Sequence, residues 1–274
     1  MSRVKKTQPT TKLVSHLDEG GSTSRSETGE LQEALDRERL KSGELEAANL
    51  RLEAEVRNLR ASADIFKNRN AELESAYYDT VVRLTRASEY KDPESGAHII
   101  RMGHYAEILA VRLGLGERFA RLIHSAAPMH DVGKIGIPDA ILLKEGPLNE
   151  VEWEMMKRHP MIGARLLEGS KSPLLEMARQ IALTHHERWD GSGYPAGLEG
   201  EDIPIAGRIV MLADHYDALR SDRPYKESMS HFQACDVFFS GDDRARPEHF
   251  DPKLLTAFRE VQDQFEGIFR VFGD

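Results

Sequence analysis

The chain has 274 residues, 40% hydrophobic and 30% charged, enough to bury one sizeable core, although about the first ninety residues are too polar to share in it. A formal net charge of -9, with no basic block longer than Lys5 and Lys6, excludes broad binding to nucleic-acid polymers. The single cysteine, Cys235, excludes an internal disulfide and a cysteine-based zinc cluster, and no apolar run of about 18 residues or export signal is visible, so a cytoplasmic chain with no membrane partner is expected.

Residues 1–29 are rich in Ser, Thr, Gly and charge and carry almost no periodic apolar residues, a composition unable to offset its ordering entropy; this segment is expected to be disordered. From Glu30 the composition becomes helix-forming, with no proline until Pro93, and residues 30–90 read as a coiled-coil and linker helix. Leu45, Leu52, Leu59, Phe66 and Leu73 recur every seven residues, and Asn49, Val56, Ala63, Asn70 and Tyr77 stand four later, the d and a seams of a coiled coil. A buried Asn at an a position is costly unless it meets its own copy, which favours a parallel homodimer in fixed register; a solvated single helix is the plainer alternative.

Residues 91–274 form the expected globular domain. His98, Met102, Tyr105 and Leu109 fall on one helical face. Asn149 predicts a capped helix over Glu150 to Arg158, interrupted by Pro160, and Ile205 to Leu219 predicts a buried helix. Asp251 before Pro252 opens the last helix. With no alternation of period two, the fold class is all-α, a helical domain preceded by a long coiled-coil helix.

Several imidazoles and carboxylates punctuate this domain. Glu94 and His98 lie four apart, able to face one ion from a helix. His130 and Asp131 are adjacent, about a hundred degrees apart if helical, so that two metals could share the aspartate. His159 precedes Pro160, where a histidine closing a helix is the ordinary reading. His185 and His186 end an apolar run, and Asp214 sits among Ile209, Val210, Met211, Leu212 and Ala213, where a carboxylate needs a partner or a metal. Singly each has a structural explanation; jointly, nitrogen and oxygen donors from separated segments describe a hydrolytic metal centre.

From about Asp92 to Asp251 the chain resembles the HD-GYP family of the HD phosphohydrolase superfamily. The resemblance is carried by His130 and Asp131, by Gly193, Tyr194 and Pro195, and by the surrounding words HDVGKIGIPD, HHERWDGSGYP, ADHYDAL and SDRPYK. It implies an all-helical domain in bacterial second-messenger signalling that hydrolyses cyclic di-GMP to pGpG, with a second cut to GMP left open. It also implies two or three divalent ions, commonly iron or manganese. By position His98, His130, Asp131, His159, His185, His186 and Asp214 match its metal ligands, with Asp131 as the bridge, and Glu94 matches a carboxylate for a third ion. Lys134 matches its catalytic-site lysine, and Tyr194, Arg223 and Lys226 match residues that hold the dinucleotide. Gly191 and Gly193 suit a tight loop at the metal rim. Hydrolysis of another cyclic dinucleotide or nucleotide, a catalytically weak nucleotide-binding adaptor, and a regulatory protein partner stay open at this point.

Overall fold

The computed structural model describes residues 25–88, 96–221, 228–242 and 245–273, and among them there is no strand, only an isolated bridge between Asp190 and Glu199. The chain divides into two units, Met1–Ala71 and Glu72–Asp274.

Helix α1 (Arg25–Ser88) runs through the division. Arg25 to Gly29, expected to be disordered, are its first residues, because no proline or turn sequence stops the helix-forming run from extending backwards. Residues 1–24, the rest of that expectation, lie outside the described residues. In the first unit Leu45, Leu52, Val56, Leu59 and Phe66 are all exposed along α1, at the positions of the heptad seam. In the second unit the end of α1 buries Val81 in the main core and also buries Thr85. The globular unit therefore begins before the boundary expected near residue 90, since apolar burial recruits the last turns of the helix.

Helix α2 (Gly96–Arg112) buries His98, Met102, Tyr105 and Leu109, as the sequence spacing requires. It packs with α3 (Glu117–Ala126), α8 (Ile205–Arg220) and α10 (Pro252–Val271), while α7 (Pro173–Thr184) packs on α3 and α8, around a shared core in which the Tyr105 and Phe265 rings stack at 4.3 Å. Residues Ile209 to Ala213 of α8 are buried without interruption, so this helix is enclosed on all sides and carries any polar group it holds into the interior. Asp251 caps α10 by accepting from Lys253 N at 2.8 Å, and Pro252 fills the first helical turn, as expected.

Helix α4 (Asp139–Leu142) is a single turn, and α5 (Glu150–Met156) opens on a reciprocal cap between Asn149 and Glu152. Pro160 does not interrupt a helix: with His159 it opens α6 (His159–Leu166), so His159 stands at a helix start rather than at an end. Proline suits that place because the first-turn N–H has no intrahelical acceptor. His130 and Asp131 are also not on a regular helix. They lie between two 3-10 turns, Ala127–Met129 and Val132–Gly136, with Asp131 at φ -100°, ψ 8°. The second turn lies so close to α6 that a Cβ on Gly133 would enter the backbone of His159 and Gly163. Only glycine permits that approach, and it brings His159 against Asp131. Helix α9 (His231–Ser240) completes the set, on the side of α8 and α10.

Candidate metal centre

Five segments deliver donors to one interior region. Asp131, His159, His185 and His186 have ligand atoms within 4.8 Å of one another, as do His98, His130 and Asp214. The two groups adjoin at Asp131. Its Oδ1 lies 3.1 Å from His159 Nε2 and 3.4 Å from His185 Nε2, and its Oδ2 lies 3.4 Å from His130 Nε2 and 2.8 Å from Lys134 Nζ. His130 Nε2 and His98 Nε2 stand 3.8 and 3.9 Å from Asp214 Oδ1.

The outer nitrogens fix the tautomers. Nδ1 of His130 donates to Ala127 O at 3.0 Å, Nδ1 of His159 to Met156 O at 2.9 Å, and Nδ1 of His185 to the carbonyls of Ile181 and Ala182, each at 3.1 Å. A carbonyl can only accept, so these Nδ1 atoms carry the protons and in the neutral rings Nε2 is a bare lone pair. His98 follows the same pattern with a carboxylate, its Nδ1 lying 2.7 Å from Asp217 Oδ2.

The consequence is sharpest where His159 Nε2 and His185 Nε2 face each other across 3.4 Å. Two lone pairs at that range repel unless a proton or a metal cation lies between them. Donors about 2.0 to 2.2 Å from a common ion are separated by about 3.0 to 3.4 Å, which is the spacing within the Asp131, His159 and His185 group. His130 Nε2 and Asp131 Oδ1 are buried with no hydrogen bond, despite the nearness of His159 to the latter. The donor set thus fits divalent cations.

Electrostatics agree. Burial opposes a charged carboxylate, yet the Lys134 ammonium and the His130 ring hold Asp131 well below the ordinary range, and His130 and His98 likewise hold Asp214 down. Burial also opposes a charged His130, but the Asp131 and Asp214 carboxylates push it up to about 9. Burial and neighbouring imidazoles lower His185 and His186, leaving neutral rings suited to ligation. The same interior region therefore favours a positive charge at His130 and neutral nitrogen donors at His185 and His186.

The loop after His186 forms the rim. Gly191 takes φ +77°, and a Cβ on Gly193 would collide with the backbone of residues 186–188, so the loop folds back tightly on the ligand segment. Tyr194 stacks on His186 at 4.7 Å, with Trp153 edge-on at 6.0 Å. Of the other residues singled out from the sequence, Glu94, Arg223 and Lys226 lie outside the described residues.

Three supporting residues were given no role by the sequence, although Glu187 and Asp217 lie within the words HHERWDGSGYP and ADHYDAL. Asp217 holds His98 and is itself gripped by Arg101, whose Nε and Nη2 donate to it at 2.6 and 2.8 Å. Glu187, 2% exposed, accepts from Ala196 N at 2.8 Å and Leu198 N at 3.0 Å, bracing the rim loop. The readable signal was spacing: Asp217 is one turn beyond Asp214 on a buried helix, and Arg101 is one turn beyond His98.

Comparison with known proteins matches residues 73–254 to a family model described as HD domain. A cyclic di-GMP phosphodiesterase response regulator of Xanthomonas campestris pv. campestris is 47% identical over 197 residues, covering 72% of this chain and 51% of that protein. A cyclic di-GMP phosphodiesterase of Thermotoga maritima is 43% identical over 199 residues, covering 73% and 53%, and a 3'3'-cGAMP-specific phosphodiesterase of Vibrio cholerae is 43% identical over 205, covering 74% and 38%. The chain thus spans about half the length, or less, of these relatives. In structure, an HDG"Y"P protein from Bdellovibrio bacteriovorus matches with a TM-score of 0.51 at 18% identity, covering 72% of this chain and 64% of that one, a likeness of fold.

Proposed function

We propose that this chain, which belongs to the HD domain family and within it to the HD-GYP group, is a phosphodiesterase that hydrolyses cyclic di-GMP. The observation that carries this reading is the convergence of His159 Nε2 and His185 Nε2 on Asp131 Oδ1, with His130 Nε2 and Lys134 Nζ at Oδ2. In this reading, Asp131, His159, His185 and His186 would hold one divalent ion and His98, His130 and Asp214 another, with Asp131 placed between the two groups. Iron or manganese is the assignment the mixed nitrogen and carboxylate donors favour. Glu94 is assigned to a third ion on the strength of the motif alone. Divalent cations bound there supply an acidified water and neutralise charge on the phosphodiester.

The chain's own residues do the rest. Lys134, fixed 2.8 Å from Asp131 Oδ2, places an ammonium beside the centre where phosphate charge grows. Neutral His185 and His186 keep their donors available without protonation. Tyr194 holds His186 with one ring face and stands at the rim, where with Arg223 and Lys226 it is assigned to the dinucleotide. Linear pGpG is the first product.

Replacing Asp131 with Ala is expected to lower bound metal and turnover together, turnover by at least about a thousandfold, read by metal analysis and chromatography of pGpG after anaerobic purification. Normal hydrolysis in that variant would refute the assignment. A 3'3'-cGAMP substrate is the second reading, favoured by the 43% identity to a phosphodiesterase of that name, and a panel of cyclic dinucleotides separates the two. The intact donor set favours catalysis over a binding-only adaptor.

The same reading gives the first unit a role as one half of a parallel homodimer in the cytoplasm, its seam supplied by the exposed leucines of α1. No helix among the described residues is long and apolar enough to cross a membrane.

A further inference from the structure

We propose that His104, Glu107 and His124 form a separate binding site for a divalent cation of zinc-like chemistry, which fastens α2 to α3. It does not depend on the phosphodiesterase reading, and its residues are not those of the centre described above.

His104 and Glu107 lie three apart on α2, so their side chains leave the same face, and His124 reaches them from the last turn of α3. The three offer ligand atoms that all lie within 4.8 Å of one another. His124 Nδ1 stands 3.0 Å from Glu107 Oε2, yet this buried nitrogen makes no hydrogen bond, because the approach is at the wrong angle for a shared proton. Donors placed at hydrogen-bond distance but aimed past one another suit a third atom between them. The spacing is the edge of a polyhedron with bonds of about 2.0 to 2.2 Å.

The surroundings favour ligation over a simple ion pair. Burial and the neighbouring His124 lower His104, while Glu107 opposes them, so this ring tends to the neutral, donating form. Phe272 stacks on His104 at 5.0 Å and Tyr78 packs on His124 at 5.2 Å, restricting both rings. All three residues are half-buried, which leaves an ion a way in and room for water to complete the coordination. Two imidazoles and one carboxylate select zinc, cobalt or nickel over calcium or magnesium.

The test uses the full chain with its catalytic metals in place, dialysed against Zn2+ and analysed for zinc per chain. The wild type is expected to hold one equivalent more than either Glu107→Gln or His124→Asn, with helicity by circular dichroism unchanged. Imidazole nitrogen NMR supplies the residue-specific reading: zinc should displace the ring signals of His104 and His124, identified by their loss in the His104→Asn and His124→Asn variants. Equal zinc content in the wild type and both variants overturns the proposal, and so do His104 and His124 signals that zinc leaves in place.

Discussion

Asp217 shows how one side chain outside the donor set can govern both metal affinity and acid stability. Burial raises its carboxyl, but hydrogen bonds from His98 and the Arg101 guanidinium win and bring it from 3.8 to about 2. A depressed carboxyl stabilises the fold fully above its unfolded value near 3.8 and loses that contribution as pH falls through about 2, a contribution on the order of 2 kcal/mol. Asp217→Asn in the metal-free protein should therefore flatten the fall in unfolding free energy between about pH 4 and pH 2, measured by urea titration. It should also lower stability near neutrality by about 3 to 5 kcal/mol, because the guanidinium of fully buried Arg101 loses its carboxylate. With His98 held by a neutral amide in place of a carboxylate, metal affinity should drop roughly 10- to 100-fold by equilibrium dialysis. An unchanged acid slope together with unchanged affinity would remove Asp217 from this role.

At the scale of elements, what the sequence revealed depended on whether the cause was local. The α2 face, the buried α8, the Asn149 cap and the Asp251 start were readable because periodicity and capping act within a few residues. His159 and the His130–Asp131 pair were assigned to the wrong local geometry. Proline before or inside a helix looks alike in sequence, and the 3-10 turns around Asp131 are set by Gly133 packing on α6, a contact between distant segments. The donor residues were legible as a set, whereas for Asp217 and Arg101 spacing marks only a shared helix face, and the partner each meets across helices is not written in either segment. The α1 seam depends only on local pattern and makes its own prediction. Replacing Asn49 and Asn70 with Leu should raise the melting temperature of the paired helices and admit assemblies larger than a dimer, read by sedimentation across a concentration series. A wild-type chain that stays monomeric throughout that series would end the homodimer reading.

For the whole molecule, the division at Ala71 and Glu72 puts the heptad positions from Leu45 to Asn70 in one unit and the last turns of α1 in the other. Val81 is only 7% exposed and belongs to the main core, and Thr85 is 2% exposed, so the last turns of α1 count toward the globular unit's stability. Deleting residues 1–71 removes the heptad positions from Leu45 to Asn70 and leaves Val81 and Thr85 in place. That chain should be monomeric by light scattering and keep the metal content of the full protein. Deleting residues 1–88 uncovers the core beneath Val81, and withdrawing a buried valine's contribution costs about 1.5 kcal/mol or more. The longer deletion should therefore unfold at lower urea than the shorter one by at least that margin, with any loss of metal following the loss of fold. Two truncations of equal stability would place the boundary beyond Ser88 and return the end of α1 to the linker.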